Sequence, residues 1–241
     1  MLSKDSGVPL YISHEDWQYT AKDGWHDYFT TLTSLPAEPL DPAPTRYQHG
    51  LDIGERSYPV SRYEEAIREI YKPKQEMLDK AEAFIKTIGG PYTSLYVRRG
   101  DKVADGSREM DLIPLPKILE DCEIKDDGRN LFIQTDDYRI VDEAKKLLPS
   151  CKVFTLAKET EDGAVHAEIK GMSPDQRREH TEQLLIGNAV FLKGNPAWAD
   201  GRSNVGRFLK LASFDTVKVY PKGSPGESLT RDKRMSPYSS L

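Results

Sequence analysis

The run Thr93-Ser-Leu-Tyr-Val-Arg-Arg-Gly-Asp-Lys-Val103 is the most informative part of the chain. A short apolar strand is followed by two arginines, a glycine and an Asp-Lys pair. Guanidinium groups at the end of a strand can bind a diphosphate through bidentate, charge-assisted hydrogen bonds, and Gly100 permits a backbone turn close to a ligand. The other interpretation is an arginine pair that is solvated and bound to Asp101. This stretch alone leaves both open.

Downstream, apolar runs alternate with segments of helical periodicity. Strands are predicted at 93–97, 131–134, 152–155, 189–192 and 216–220, and helices near 114–122, 137–148, 174–188 and 204–213. A further helix, which carries Met77, Ala81, Phe84 and Ile85, is predicted before the first of these strands. The helix near 174–188 opens with Ser173, Pro174 and Gln176, which predict a capping box. This alternation predicts an α/β fold in which helices cover a parallel sheet. Ligands bind such sheets at the carboxyl ends of the strands, where Arg98 and Asp136 follow their strands.

The pair Asp136-Asp137 has three interpretations. Asp or Thr before a helix caps its free N–H groups. The carboxylates can instead form one wall of a ligand cleft, or bind Mg²⁺ or Mn²⁺. The residues themselves leave all three open.

Two further segments carry candidate chemistry. The run Gly-Arg-Ser-Asn-Val-Gly-Arg at 201–207 opens a helix, so Ser203 and Asn204 are candidates to hold a phosphate there, or Ser203 is only an N-cap. In the polar segment after Lys102, Asp105 or Glu109 can act as a general base, or the segment is a solvated loop.

Composition excludes several classes. The chain has 241 residues and a formal net charge of −5, which argues against nucleic acid as the main partner. No apolar run reaches the roughly 18 residues of a membrane span. Cys122 and Cys151 predict neither a disulfide framework nor a zinc site. We expect a cytoplasmic protein or a soluble catalytic fragment of a luminal enzyme.

Four segments in order resemble the α1,6-fucosyltransferases, which include the N-glycan core and nodulation-factor enzymes and have protein O-fucosyltransferases as distant relatives. They are Asp-Trp-Gln-Tyr-Thr-Ala-Lys-Asp-Gly-Trp at 16–25, Val-Arg-Arg-Gly-Asp-Lys-Val at 97–103, Phe-Ile-Gln-Thr-Asp-Asp at 132–137 and Ser-Asn-Val-Gly-Arg at 203–207. The resemblance implies a fold of the GT-B type. It divides the chain into an abbreviated acceptor-side region at 1–90, a Rossmann-like donor domain at 91–225 and a C-terminal tail at 226–241.

The same resemblance implies an inverting transferase that needs no metal or other cofactor. Its partners are a nucleotide-sugar donor, by default GDP-fucose, and a carbohydrate acceptor. Arg98 would bind the β-phosphate and Glu109 would act as the base, with Asp105 as second choice. The remaining implied site residues surround the base or bind the donor, and they are Asp101, Lys102, Tyr96, Arg99, Asp136, Asp137, Arg202, Ser203 and Asn204.

Two departures affect the donor nucleotide. Tyr96 replaces the family's histidine, and Gly187 lies near the position of its aspartate, and both family residues contact guanine. A UDP-sugar such as UDP-xylose is therefore an alternative donor. A non-catalytic module that binds a nucleotide or glycan is a further alternative, and so is a metal-dependent transferase.

Overall fold

The computed structural model describes residues 27–30, 71–99, 113–159, 172–200 and 203–213. The predicted strand at 216–220 lies outside these ranges. In chain order the elements are α1 (Gln75–Ile88), β1 (Tyr92–Val97), α2 (Leu115–Asp121), β2 (Asn130–Thr135), α3 (Tyr138–Leu147), β3 (Lys152–Phe154), α4 (Pro174–Lys193), β4 (Asn195–Ala199) and α5 (Asn204–Ala212).

The four strands form one parallel sheet with the order β3-β2-β1-β4. Tyr92 is paired with Asn130 at the start of β1 and β2, and Val97 is paired with Thr135 at their ends. Parallel strands need helical crossovers, and the chain supplies them between successive strands. The prediction of an α/β fold with a parallel sheet is therefore confirmed for the part of the chain that the structure describes.

Successive residues of β1 and β2 face opposite sides of the sheet, as the pleat requires. Leu95, Val97, Leu131 and Ile133 pack in one core with α2 and α3. Tyr92, Tyr96 and Phe132 belong to the other core, with α1, α4 and α5. Each face of the sheet is covered, which explains why β1 is buried along its whole length.

The prediction of a strand at 189–192 is wrong, because these residues form the last turns of α4. Ala189, Val190 and Phe191 are all buried, and a short apolar run of this kind fits a buried helix as well as a strand. The strand lies next along the chain, at Asn195–Ala199.

Strand β4 was not predicted from the sequence because it contains a proline. Pro196 lies in this strand, which pairs only with β1 among the described strands, and the pairing shifts register between Ser94 and Leu95. Proline has no N–H to donate and is therefore tolerated at a sheet edge or a bulge.

Helix α4 begins as predicted. Ser173 Oγ accepts the Gln176 N–H at 3.3 Å, and Gln176 Oε1 accepts the Ser173 N–H at 2.8 Å. Two of the unpaired N–H groups at the helix start are satisfied by this capping box.

The short segment 27–30 is hydrogen-bonded to the residues just before α1. Phe29 and Pro73 form an antiparallel bridge, and Tyr28, Phe29 and Leu185 share a small core against which Tyr71 packs. Lys80 of α1 also donates to Glu182 of α4 at 2.8 Å. The chain before β1 therefore contributes to the helical layer on one face of the sheet. The division at residue 90 stays a prediction.

Candidate functional site

The order of the described strands creates a place where a ligand crevice is expected. From β1 the chain proceeds through α2 to β2 and then β3 on one side, while β4 lies on the other side of β1. Loops that leave β1 and β4 therefore diverge, and open α/β sheets bind ligands at such a switch point beyond the carboxyl ends of the strands. We call this edge of the sheet the carboxyl edge.

Arg98 and Asp136 meet at the carboxyl edge. Arg98 Nη1 lies 3.0 Å from Asp136 Oδ2, and the side chains are 25% and 10% exposed. Asp136 Oδ1 also accepts the main-chain N–H of Arg99 at 2.8 Å. The first residues after two neighbouring strands are thus bound to each other, and the guanidinium of Arg98 keeps part of its surface accessible.

The two arginines have different environments. Arg99 is 6% exposed. Its Nη1 donates to the Arg98 carbonyl at 3.0 Å, and its Nη2 donates to the carbonyl of Ile113, which lies just before α2. These two hydrogen bonds hold the backbone beyond β1 in place. The donor-binding role of Arg99 stays a prediction.

Asp137 is the N-cap of α3, as the capping interpretation predicted. Its Oδ1 accepts the Arg139 N–H at 3.0 Å at the start of α3, and the Arg139 side chain donates to both carboxylate oxygens. Asp137 is 3% exposed. The two adjacent aspartates therefore differ, since Asp136 contacts Arg98 and Asp137 caps a helix.

Tyr96 connects β1 to the start of α5. Ser203 Oγ donates to the Tyr96 hydroxyl at 3.1 Å and accepts the Gly206 N–H at 2.9 Å, so Ser203 is the N-cap of α5. Burial raises the pKa of Tyr96 to about 12, with the positive charge of Arg98 acting in the opposite direction. The Tyr96 hydroxyl therefore lies within the electrostatic reach of Arg98 and in contact with the helix start.

The start of α5 is also fixed by close backbone packing. The Ser203 N–H donates to the Asp200 carbonyl at 3.1 Å. A Cβ atom placed on Gly206 would lie 1.9 Å from that carbonyl oxygen. Only glycine allows the first turn of α5 to approach the end of β4 this closely.

Gln134 of β2 and Asn188 of α4 form a buried pair of side-chain amides, which was not predicted from the sequence. Gln134 Nε2 donates to Asn188 Oδ1 at 2.8 Å and to the Leu184 carbonyl at 3.4 Å. A Cβ atom on Gly187 would lie 2.9 Å from Gln134 Nε2. A glycine inside a helical pattern was the available signal of such a close approach.

Several candidate residues lie outside the described part of the chain, namely Asp101, Lys102, Asp105, Glu109 and Arg202. Asn204 is the first residue of α5. Within the described ranges, no group of three or more His, Cys, Asp or Glu residues has an arrangement that could hold a metal ion.

The described helices include none with the length and apolar character needed to cross a membrane. The chain matches no family model, and it matches no curated protein.

Proposed function

We propose that the protein is an inverting, metal-independent glycosyltransferase of the GT-B type. It moves a sugar, fucose by resemblance, from a nucleoside diphosphate donor to a carbohydrate hydroxyl. The observation that carries the proposal is Arg98, a partly exposed guanidinium paired with Asp136 at the carboxyl edge of a parallel sheet, directly after the strand that borders the switch point.

The reaction makes one demand that Arg98 is suited to meet. As the acceptor oxygen forms its bond to the anomeric carbon, the bond from that carbon to the β-phosphate oxygen breaks, and negative charge develops on the departing diphosphate. A fixed positive charge at that place is usually a large catalytic term. Arg98, oriented before the donor arrives, would stabilise this charge.

Deprotonation of the acceptor completes the step. The acceptor hydroxyl proton passes to the Glu109 carboxylate in the proposed mechanism, and attack from the side opposite the diphosphate inverts the anomeric configuration. Glu109 has this role by resemblance, with Asp105 as the second candidate.

A donor other than a GDP-sugar is favoured by one observation. Gly187 lies near the position of a guanine-contacting aspartate in the resembled family, and Gln134 fills the space in which its side chain would begin. A side chain at this position would require the amide end of Gln134 to shift. A UDP-sugar such as UDP-xylose is therefore the second donor to test.

Transfer assays with GDP-fucose, UDP-xylose and related donors test the proposal. Arg98→Ala is expected to abolish measurable transfer, and Arg98→Lys is expected to lose most of it because an ammonium cannot make bidentate contacts. The matched control is Arg129→Ala. It removes the arginine of a second Arg–Asp ion pair, which lies just before β2 at the opposite end of the strands.

Folding of Arg98→Ala is checked separately, since it leaves Asp136 without its ion pair. The double variant Arg98→Ala/Asp136→Asn removes both charges and is expected to unfold near the wild-type temperature while it remains inactive. Wild-type transfer rates in Arg98→Ala would refute the role of Arg98. Donor binding by the wild type without transfer of any sugar would instead support a non-catalytic binding module.

A further inference from the structure

Asp136 contacts both arginines that follow β1. One carboxylate oxygen accepts the Arg99 main-chain N–H at 2.8 Å, and the other lies 3.0 Å from Arg98 Nη1. The side chain is 10% exposed, so the ion pair is partly removed from water. Arg98 is therefore contacted by a carboxylate that is itself held in place by the backbone.

The backbone around Arg98 is fixed from a second direction. The guanidinium of Arg99 donates to the Arg98 carbonyl at 3.0 Å and to the Ile113 carbonyl. Helix capping at this edge is provided by Asp137. Because a neighbour caps the helix, the contacts of Asp136 with Arg98 and Arg99 call for a separate explanation.

We propose that Asp136 is a positioning residue for Arg98, a proposal that rests on the transferase function above. Asp136 holds the guanidinium in a single orientation before a diphosphate enters. Its negative charge also offsets that of Arg98, so it weakens the attraction of the empty site for an anion.

These two effects act in opposite directions on binding and on turnover. An oriented donor set is most valuable when charge develops on the leaving group, because it needs no reorganisation during the reaction. Attraction for the diphosphate before reaction depends more on the net local charge. Removal of the carboxylate charge is therefore expected to strengthen diphosphate binding and to slow transfer.

A purely structural role predicts something else. If Asp136 only joined the ends of β1 and β2, its loss would lower the unfolding temperature and would weaken binding and turnover together. The sign of the change in diphosphate affinity separates the two roles.

The experiment compares Asp136→Asn with Asp127→Asn. Asp127 also pairs with an arginine, at 2.5 Å, but it precedes β2 at the opposite edge of the sheet. Each variant removes one negative charge and one Arg–Asp pair. Calorimetric titration with inorganic pyrophosphate measures affinity without a need for turnover, and transfer assays give kcat and KM.

For Asp136→Asn we expect pyrophosphate affinity to rise about three- to tenfold. We expect kcat to fall about ten- to a hundredfold while KM for the donor falls. Asp127→Asn is expected to change each quantity by less than about twofold, since charges farther apart than about 10 Å are largely screened. Weaker pyrophosphate binding in Asp136→Asn, or unchanged binding and kcat, would overturn the proposal.

Asp136→Glu gives a second test if Asp136→Asn folds poorly. It keeps the charge but displaces it by one methylene, so pyrophosphate affinity is expected to stay within about twofold while kcat falls about tenfold. An unchanged kcat in this variant would count against positioning.

The two proposals fail in different ways. Tighter pyrophosphate binding in Asp136→Asn, with no transfer by the wild type from any donor, would refute the transferase function and leave the electrostatic role of Asp136 standing. Absence of pyrophosphate binding by the wild type would refute both.

Discussion

Replacement of Gly206 by alanine is expected to destabilise the protein, although alanine is the better helix former. A Cβ atom at this position would lie 1.9 Å from the Asp200 carbonyl oxygen and 2.6 Å from its carbon. These are main-chain atoms of the residue that follows β4, and the Asp200 N–H is itself bonded to the Tyr96 carbonyl at 3.1 Å. The backbone that would have to move is therefore anchored to the centre of the sheet.

The magnitude follows from two opposing terms. Overpacking in a well-packed region costs about 1–3 kcal/mol and occasionally more, and contact with backbone places Gly206→Ala near 3 kcal/mol. Helix propensity favours alanine over glycine by about 1 kcal/mol. The expected net loss is about 2 kcal/mol, which lowers the urea midpoint by about 1 M for a slope near 2 kcal/mol per M.

Urea denaturation followed by circular dichroism measures this change. Gly90→Ala is the matched control, because a Cβ atom there meets only Asn130 Nδ2, at an ordinary 3.6 Å. We expect the control to be neutral or stabilised by up to about 1 kcal/mol. A Gly206→Ala protein as stable as Gly90→Ala would show that α5 does not pack closely on the end of β4.

Two further predictions concern pH. Burial raises the pKa of Tyr92 and Tyr96 to about 12, whereas the unfolded chain ionises near 10.0. Their stabilising contribution is therefore complete below pH 10 and is lost as the pH rises towards 12; a urea midpoint constant from pH 9 to 12 would contradict this. Burial tends to raise the pKa of Glu182, but hydrogen bonds from Lys80 and Arg178 outweigh it and lower that pKa. Glu182→Gln should therefore cost about 0.5–1 kcal/mol at pH 7, and the difference should shrink as the pH falls below 4.5 and through the lowered pKa of that carboxyl group; a loss that stays constant from neutral pH through the acid range would exclude the charge as its cause.

Local pattern was sufficient for much of the fold. Strands β1 and β2 are short runs rich in apolar residues between turn signals, and helices α3 and α5 have clear helical periodicity, so their positions follow from the sequence. Strand β4 was missed because Asn-Pro-Ala-Trp-Ala contains a proline, and because the adjacent apolar end of α4 has the composition of a strand. Pro196 is accommodated by a pairing with β1 whose register shifts, and local sequence pattern carries no information about that partner strand.

The candidate site was predictable only in part. Parallel strands end at the same edge, so the proximity of Arg98 and Asp136 could be expected before the structure was known. The environments of Arg99 and Asp137 depend on partners set by tertiary packing and by side-chain geometry, namely the Ile113 carbonyl and the Arg139 side chain. Adjacent residues of the same type thus differ in ways that spacing cannot distinguish.

The most direct measurement is calorimetric titration of the full chain, as wild type and as Arg98→Ala, with GDP and with UDP. Binding of at least one of them by the wild type is expected, with a loss of about ten- to a hundredfold in Arg98→Ala because a charge-assisted hydrogen bond is removed. Equal affinity in the two proteins, or no binding by the wild type, would contradict a diphosphate site at the carboxyl edge.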